Sequence, residues 1–363
     1  MEYKNYTLAE LKSYIESGQY LASDIIAITP IRAYSQFQNP KASPADVVLT
    51  IAFSEQNKII GYIGALPDKV NNIKCAWNSC WWVKPGTPAE VSMKLFFLFI
   101  SNWEKNVLFS EMTPHTAKMI EQMRFCKATT TIGFRGYYRF SLNRVLPAKK
   151  KVFGKIKGLL YCFDQVLNSI ITVRNFMLKN KIYSDLKVET ISELGELDDR
   201  FIDGFNQNNI AKRYSTDFNW IQQNTWLNTA PNRDKEIAQR YFFSYYTPQF
   251  ESKWLRFYQN GALVGLVNYT IRDGALKLPY VYCDAPFAVS IANYFIQLLE
   301  TNPSLSTITT FHHFLVEALM NQCRKFIYHV RLPKYSAIST QLLTESPIEN
   351  PEFQMGDGDA VFT

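Results

Sequence analysis

Of the four histidines in this 363-residue chain, two are adjacent, His312 and His313. They follow the run Thr307 to Phe311, whose β-branched residues read as a strand. An imidazole at a strand end can take a proton from a nucleophile near neutral pH. Successive strand residues face opposite ways, so at most one of the two can face a cleft. Asp284, at the end of the strand Leu276 to Tyr282, is placed to orient it. The first half holds a comparable pair. Glu111 follows the short strand Val107 to Ser110, and His115 opens the helix that comes next. Both are general-base types. Each has a plainer reading as well: a carboxylate near a helix N-terminus is favoured by the dipole alone, and the histidines suit a helix surface or an interface.

Metal chemistry is not expected. The six cysteines, Cys75, Cys80, Cys126, Cys162, Cys283 and Cys323, show no Cys-x-x-Cys pair and no companion histidine at ligand spacing. They read as reduced core thiols. The tail Gln354 to Asp359 alternates Gly and Asp but lacks the further ligands and closing Glu of a calcium loop. It reads as a turn leading into a short strand, Ala360 to Phe362.

The elements that must position these residues come in two similar series. Asp46 to Phe53 and Ile59 to Leu66 are apolar runs around a polar turn, a hairpin signature. A strand from Lys74 to Val83 carries Trp77, Trp81 and Trp82, the last two necessarily on opposite faces. Lys84-Pro85-Gly86-Thr87-Pro88 stops that strand and prepares a helix from Ala89 to Lys105, with apolar residues at helical spacing. The strand at Val107, a helix from about His115 to Met123 and a strand near Thr129 to Phe140 complete the series. The second series runs through Lys253 to Tyr258, Ala262 to Ile271, Leu276 to Tyr282, a helix from about Ala288, Thr307 to Phe311, a helix from Phe314, and Phe326 to Val330. It matches the first at a separation of about 200 residues, which implies an internal duplication. Between the two lies a segment that opens with Lys149, Lys150, Lys151, Lys155 and Lys157 and continues with Leu159, Leu160, Phe163, Val166, Leu167, Ile170 and Ile171 at helical spacing. It reads as a basic amphipathic linker helix whose apolar face is docked against the domains. Contact with an anionic membrane surface is the alternative.

The junction Trp82-Val83-Lys84-Pro85 resembles the signature of the acyl-CoA N-acyltransferase (GNAT) superfamily, in which a strand ends in Val-x-Pro and a glycine-rich loop opens the next helix. The stretch Glu111 to Phe125 resembles the strand-to-helix segment of the same family. The resemblance covers most of residues 1–145 and, more weakly, 186–345. It implies an α/β (α+β) fold of two consecutive GNAT-like domains, each a mixed twisted sheet flanked by helices: residues 1–145, a linker over 146–185, and 186–363. It further implies that Trp82, Val83, Lys84, Gly86, Thr87, Ala89 and Thr113 hold acetyl-CoA or another acyl-CoA, with backbone amides at the helix N-terminus facing its pyrophosphate. Three departures are visible. The loop after Val83 has one glycine, the tyrosine that often serves as general acid is replaced by Ile120, and the corresponding loop of the second half, Asp284 to Val289, has none. The second half is therefore expected to bind no coenzyme in the usual way.

Composition bounds the rest. Hydrophobic residues at 47% and charged residues at 20% describe a folded chain able to bury a sizeable core. A net charge of +7 favours anionic ligands, and no RNA-recognition motif or zinc-finger spacing accompanies it. The opening MEYKNYTLAELKSYIESG reads as a polar amphipathic helix with no secretory apolar core, and no apolar run is long enough to cross a bilayer, so a cytoplasmic protein is expected. The leading expectation is an acyl-CoA-dependent N-acyltransferase acting on a small amine, such as an amino sugar, in a cleft between the domains. A Fem-like peptidyltransferase using aminoacyl-tRNA and a non-catalytic binding protein of the same fold are the alternatives. Oligomeric state is not legible.

Overall fold

The computed structural model describes residues 1–178, 185–230 and 235–363. The chain is a mixed α/β fold in two compact units, neither of them continuous in sequence.

The first unit comprises residues 1–131, 192–250 and 334–363. Its strands are β1 (Glu2–Thr7), β2 (Val47–Phe53), β3 (Ile59–Val70), β4 (Ile73–Val83) and β5 (Val107–Met112), with the end of the last strand of the chain, β12 (Tyr328–Ser339), as a sixth. They lie in the order β1-β2-β3-β4-β5-β12. All the pairings are antiparallel except β4 with β5, which is parallel. That pairing requires a crossover, supplied by α3 (Ala89–Asn102), the third helix after α1 (Leu8–Glu16) and α2 (Pro30–Phe37). One face of the sheet packs on α3 through Leu95, Phe96 and Phe99, and the other on α1 and α2 through Leu11, Ile15 and Ala33. With both faces covered, β2 and β3 are apolar almost throughout. The helices α4 (Pro114–Gln122), α7 (Glu196–Asp203), α8 (Ser215–Gln223), α9 (Lys235–Arg240) and α12 (Thr340–Glu345) complete this unit.

The second unit comprises residues 132–191 and 251–333. Its strands β7 (Lys187–Ile191), β8 (Phe250–Gln259), β9 (Ala262–Arg272), β10 (Ala275–Cys283) and β11 (Thr307–Thr310) are joined by the end of β6 (Cys126–Tyr137), in the order β7-β8-β9-β10-β11-β6. Here too the fourth and fifth strands are parallel, around the crossover helix α10 (Ala285–Thr301), and α11 (His313–Asn321) follows the fifth. The helices α5 (Leu142–Lys149) and α6 (Lys157–Met177) belong to this unit.

Each unit thus uses five consecutive strands and takes its sixth from the other half of the chain. The matching order carries the duplication legible in the sequence. The boundaries at 145 and 186 do not follow the compact units, because β6 leaves the first unit partway along its length and β12 returns to it. Residues 192–250, read as part of a contiguous second half, pack in the first unit.

Three local expectations are corrected. The opening residues form β1 before α1, and Thr7 and Glu10 close a capping box at the junction: the Thr7 amide donates to Glu10 at 2.8 Å, and the Glu10 amide to the Thr7 hydroxyl at 3.3 Å. Strand pairing with β2 wins over the helical pattern up to that cap. The tail Ala360–Phe362 is a 3₁₀ turn rather than a strand, held by Phe362 stacked on Trp226 at 4.4 Å. The linker helix exists as α6, but most of its apolar residues face solvent and its polar residues make the attachment; residues 179–184 of the linker lie outside the described residues.

Candidate functional site

In the first unit, the β4–β5 ladder pairs Ala76 with Val107 and Trp77 with Leu108. Beyond those pairs β4 stays with β3 as far as Val83, while β5 continues beside β12. A wedge therefore opens at the carboxyl ends of two parallel strands joined by a crossover. Such a position is where open α/β sheets bind ligands.

Backbone irregularity marks both sides of the wedge. The β3–β4 register shifts between Tyr62 and Gly64, and the β5–β12 register shifts beside Tyr335. Cys80 on β4 has φ 53° and Glu111 on β5 has φ 50°. Neither is a glycine, and a side chain in this left-handed region costs about 1–3 kcal/mol, retained only where the surroundings hold it. Bulged residues re-aim their side chains. Both line one cavity of about 260 Å³, with Asn78 and Ser110 from the same strands.

Arg32 forms the floor. Thr29 caps α2 by accepting from the Arg32 amide at 3.4 Å, and Pro30 at the first helical position presets the turn, so the Arg32 side chain is aimed at the sheet. It is only 2% exposed. Its guanidinium donates to the Cys80 thiol and the Ser79 hydroxyl, and to the Tyr241 hydroxyl at 3.0 Å. It lies over the Trp226 ring and stands 4.0 Å from the Asp359 carboxylate. Gly64 makes this approach feasible: a Cβ there would sit 2.5 Å from the Ser79 carbonyl oxygen and 3.4 Å from the guanidinium. Burial pushes the Tyr241 phenol above its ordinary pKa against the pull of Arg32, so it remains protonated and able to donate. Asp359 and Glu111 supply two carboxylates to the same lining. The arrangement combines a hydroxyl donor, a thiol, a compensated cation and two carboxylates. It can hold a small polar group and remove a proton from it.

A buried ionic cluster fixes this wall. Asp68 on β3 accepts from Lys41 at 2.8 Å, Arg213 at 3.3 Å and the Trp77 indole at 2.7 Å. Burial alone would raise its pKa, but Lys41, Arg213 and these hydrogen bonds outweigh it and hold the carboxyl at about 2. Arg213 precedes α8, so the cluster ties residues 192–250, which carry Trp226 and Tyr241, to the sheet.

Of the residues singled out in the sequence, Glu111 lines the cavity. His115 is exposed on the first turn of α4 and is not part of the lining. Thr113 caps α4, accepting from the Thr116 amide at 3.2 Å. Trp82 stacks on Phe242 at 4.3 Å and Trp81 on Phe96 at 5.1 Å, on opposite faces of β4. Val83 pairs with Gly61. Lys84, Gly86 and Ala89 are exposed on the loop into α3, Thr87 is half-buried, and Gly86 takes φ 85° to make the turn. Pro88 caps α3 without a side-chain bond, and the amides of Ala89 and Glu90 lie in the first turn, where no helix carbonyl precedes them to accept. Glu90 adds a negative charge there. Ile120, at the position of the family's tyrosine, is buried core.

Asp284, His312 and His313 belong to the second unit. Asp284 occupies the N-cap of α10 without a capping bond and is exposed. His312 is the N-cap of α11, its ring 5.1 Å from that of His313, which is itself exposed and packed against Phe314. Burial, with the neighbouring His313 adding to it, lowers the His312 pKa to about 3, and its Nδ1 is buried with no hydrogen-bond partner. No hydrogen bond joins Asp284 to either ring among the described residues. Nothing in the sequence pattern singles out Arg32, Tyr241 or Asp359. The Thr29-Pro30 start signal is legible, but the burial of an arginine three residues later is set by a segment some 200 residues away.

No group of three or more His, Cys, Asp or Glu side chains able to hold a metal ion occurs among the described residues, and no described helix is long and apolar enough to cross a membrane. No protein-family model and no curated protein sequence matches the chain. Solved structures do. A GCN5-related N-acetyltransferase from Anabaena variabilis superposes with a TM-score of 0.50 at 10% identity, over 93% of this chain and 72% of that one. A probable N-acyltransferase from Enterococcus faecalis gives 0.50 at 10% identity, over 94% and 73%. The chain has a GNAT-like fold.

Proposed function

We propose that the chain is an N-acyltransferase that takes an acyl group from acyl-CoA and transfers it to a small amine held in the cavity at the β4–β5 wedge. The observation that carries this reading is the wedge itself, with a polar, carboxylate-bearing cavity at the carboxyl ends of two splayed parallel strands. Support comes from the fold shared with structures described as N-acetyl- and probable N-acyltransferases.

The thioester would lie in the wedge, with the pyrophosphate toward the free amides that open α3. Glu111 takes the proton as the amine nitrogen bonds to the thioester carbonyl carbon, the C–S bond breaks, and the sulfur leaves as thiolate. Tyr241, kept protonated, donates to that departing sulfur. Asp359 offers a second anionic contact for an ammonium substrate. A cavity of about 260 Å³ suits an amine no larger than a single sugar or amino acid, which keeps amino sugars within the acceptor class.

Calorimetric titration with acetyl-CoA and coenzyme A tests the donor half, and release of free thiol across a panel of amines tests the transfer. Saturable binding that weakens when Gly86 and Thr87 are replaced by Asp supports the reading. Absence of heat or thermal stabilisation at millimolar coenzyme would remove it and leave a non-catalytic or tRNA-dependent protein of the same fold.

A further inference from the structure

The helix α6 is mounted with its polar side inward. Asp164, 3% exposed, accepts from the Leu142 and Asn143 amides at 2.8 and 2.9 Å and so caps α5. Asn168 exchanges two hydrogen bonds with the Phe140 backbone, and Asn175, 3% exposed, donates to the Lys325 carbonyl at 3.3 Å. Only Leu160 among the apolar residues of the helix is fully buried. On the opposite side Leu159, Phe163, Val166, Ile170, Val173 and Met177 recur at alternating steps of four and three residues and form one stripe, each between 52% and 72% exposed. A stripe of this extent on a folded surface marks a binding face.

Charge identifies what covers it. Lys149, Lys150, Lys151, Lys155 and Lys157 are all exposed immediately before the stripe, with Val152 and Ile156 exposed among them. Between Ser141 and Leu178 the one acidic residue is Asp164, which is turned inward. The stripe itself carries no charge of either sign; one flank is Cys162, Ser169 and Phe176, and on the other the single charge, Arg174, is turned to Asn175 and the Lys325 carbonyl at 2.9 and 3.2 Å. The alternating spacing would also suit a second helix, but the opposite-charge pairs that set register in paired helices are missing from its flanks, where the one charge, Arg174, is already engaged within the unit. A parallel second copy would bring two lysine clusters together. We infer that α6 and the lysine-rich segment before it form a membrane-surface anchor, the stripe entering the headgroup–acyl boundary and the lysines meeting anionic lipid headgroups. The anchor belongs to the second unit and is independent of the transfer chemistry assigned to the first.

Cys162 is the one exposed cysteine among the described residues and borders the stripe, so it takes a polarity-sensitive thiol fluorophore without disturbing the core. The full-length labelled protein is mixed with vesicles of phosphatidylglycerol and phosphatidylcholine, and with vesicles of phosphatidylcholine alone. The expected result is co-sedimentation with the anionic vesicles and a blue shift of the label. Binding should weaken about tenfold or more in Lys150→Glu/Lys151→Glu, and both signals should vanish in Val166→Glu/Ile170→Glu at unchanged thermal stability, since these side chains are exposed. No sedimentation with anionic vesicles overturns the inference, as does sedimentation indifferent to Val166→Glu/Ile170→Glu. A dimer in analytical ultracentrifugation that this double variant dissociates, with no vesicle binding, overturns it in favour of a second copy of the chain.

Discussion

The Arg32 guanidinium carbon stands 4.2 Å from the centre of the Trp226 ring. The two residues come from α2 and from the segment between α8 and α9, so a stacked cation joins the sheet's own helix layer to the inserted stretch 192–250. The same guanidinium reaches Cys80 on β4 and Tyr241 at the end of α9. Arg32→Ala removes the stack and leaves the Tyr241 hydroxyl and Asp359 without their cation. A loss of about 2–4 kcal/mol is expected in urea unfolding. Arg32→Lys should recover little of it, because an ammonium cannot present a planar fork to three acceptors.

Glu111, the base of the proposed transfer, allows that role to be tested apart from stability. Its φ of 50° is strained for a side chain, and the residue is exposed. Glu111→Gln keeps the shape and should lower kcat about 10²- to 10⁴-fold with little change in Tm. Glu111→Gly should lose activity similarly but gain on the order of 1 kcal/mol, as relieved strain exceeds the entropy cost of glycine. An active Glu111→Gln enzyme would move the base elsewhere.

Asp68 sets an acid limit. Its folded pKa of about 2 lies below the ordinary carboxylate value, so its contribution to stability is complete above that ordinary value and is lost as pH falls toward 2. Asp68→Asn should cost about 3–5 kcal/mol at neutral pH, since Lys41 and Arg213 lose a buried counter-charge. It should also flatten the acid side of the stability profile, measured by denaturant midpoints between pH 2 and 5.

Asp357 has the opposite sign. Burial pushes its carboxyl up to about 6 against the pull of Arg213 and Lys334, and one of its oxygens is buried with no partner. A raised pKa means that the protonated form is preferred in the fold, so stability is fully present below the ordinary value and falls as pH rises through 6. Asp357→Asn retains an acceptor for the Gln354 amide, which donates to Asp357 at 2.8 Å. It should match the parent near pH 4 and exceed it by about 2–3 kcal/mol at pH 7. A variant less stable at both pH values would show that the charge is needed by Arg213 or Lys334.

Period and punctuation made most elements legible. The hairpin of β2 and β3, the Pro-Gly stop after Val83 and the apolar spacing of α3 each have a local cause, and each lies within a few residues of its expected place. Glu111 was legible for the same reason, standing at a strand end. Arg32, Tyr241 and Asp359 were not, because their meeting depends on which surface residues 192–250 and 334–363 choose. The outward stripe of α6 was misleading in its own way: hydrophobic periodicity locates an apolar face but does not say that the face is covered, and here Asp164, Asn168 and Asn175 claim the inner side through hydrogen bonds.

The exchange of β6 and β12 has a consequence for how this chain is made. A nascent chain released as far as residue 325 has all of β1 to β5 but no partner for the free edge of β5 in its own unit, because Tyr335, Ala337 and Ile338 have not been synthesised. An exposed strand edge is a template for pairing with other chains. The first unit therefore stays vulnerable to aggregation until β12 is made, whereas β6 and β7 to β11 are already together. Cutting the gene between the apparent repeats would not yield two working halves; a circular permutant that places residues 334–363 ahead of Met1 would let the first unit close early.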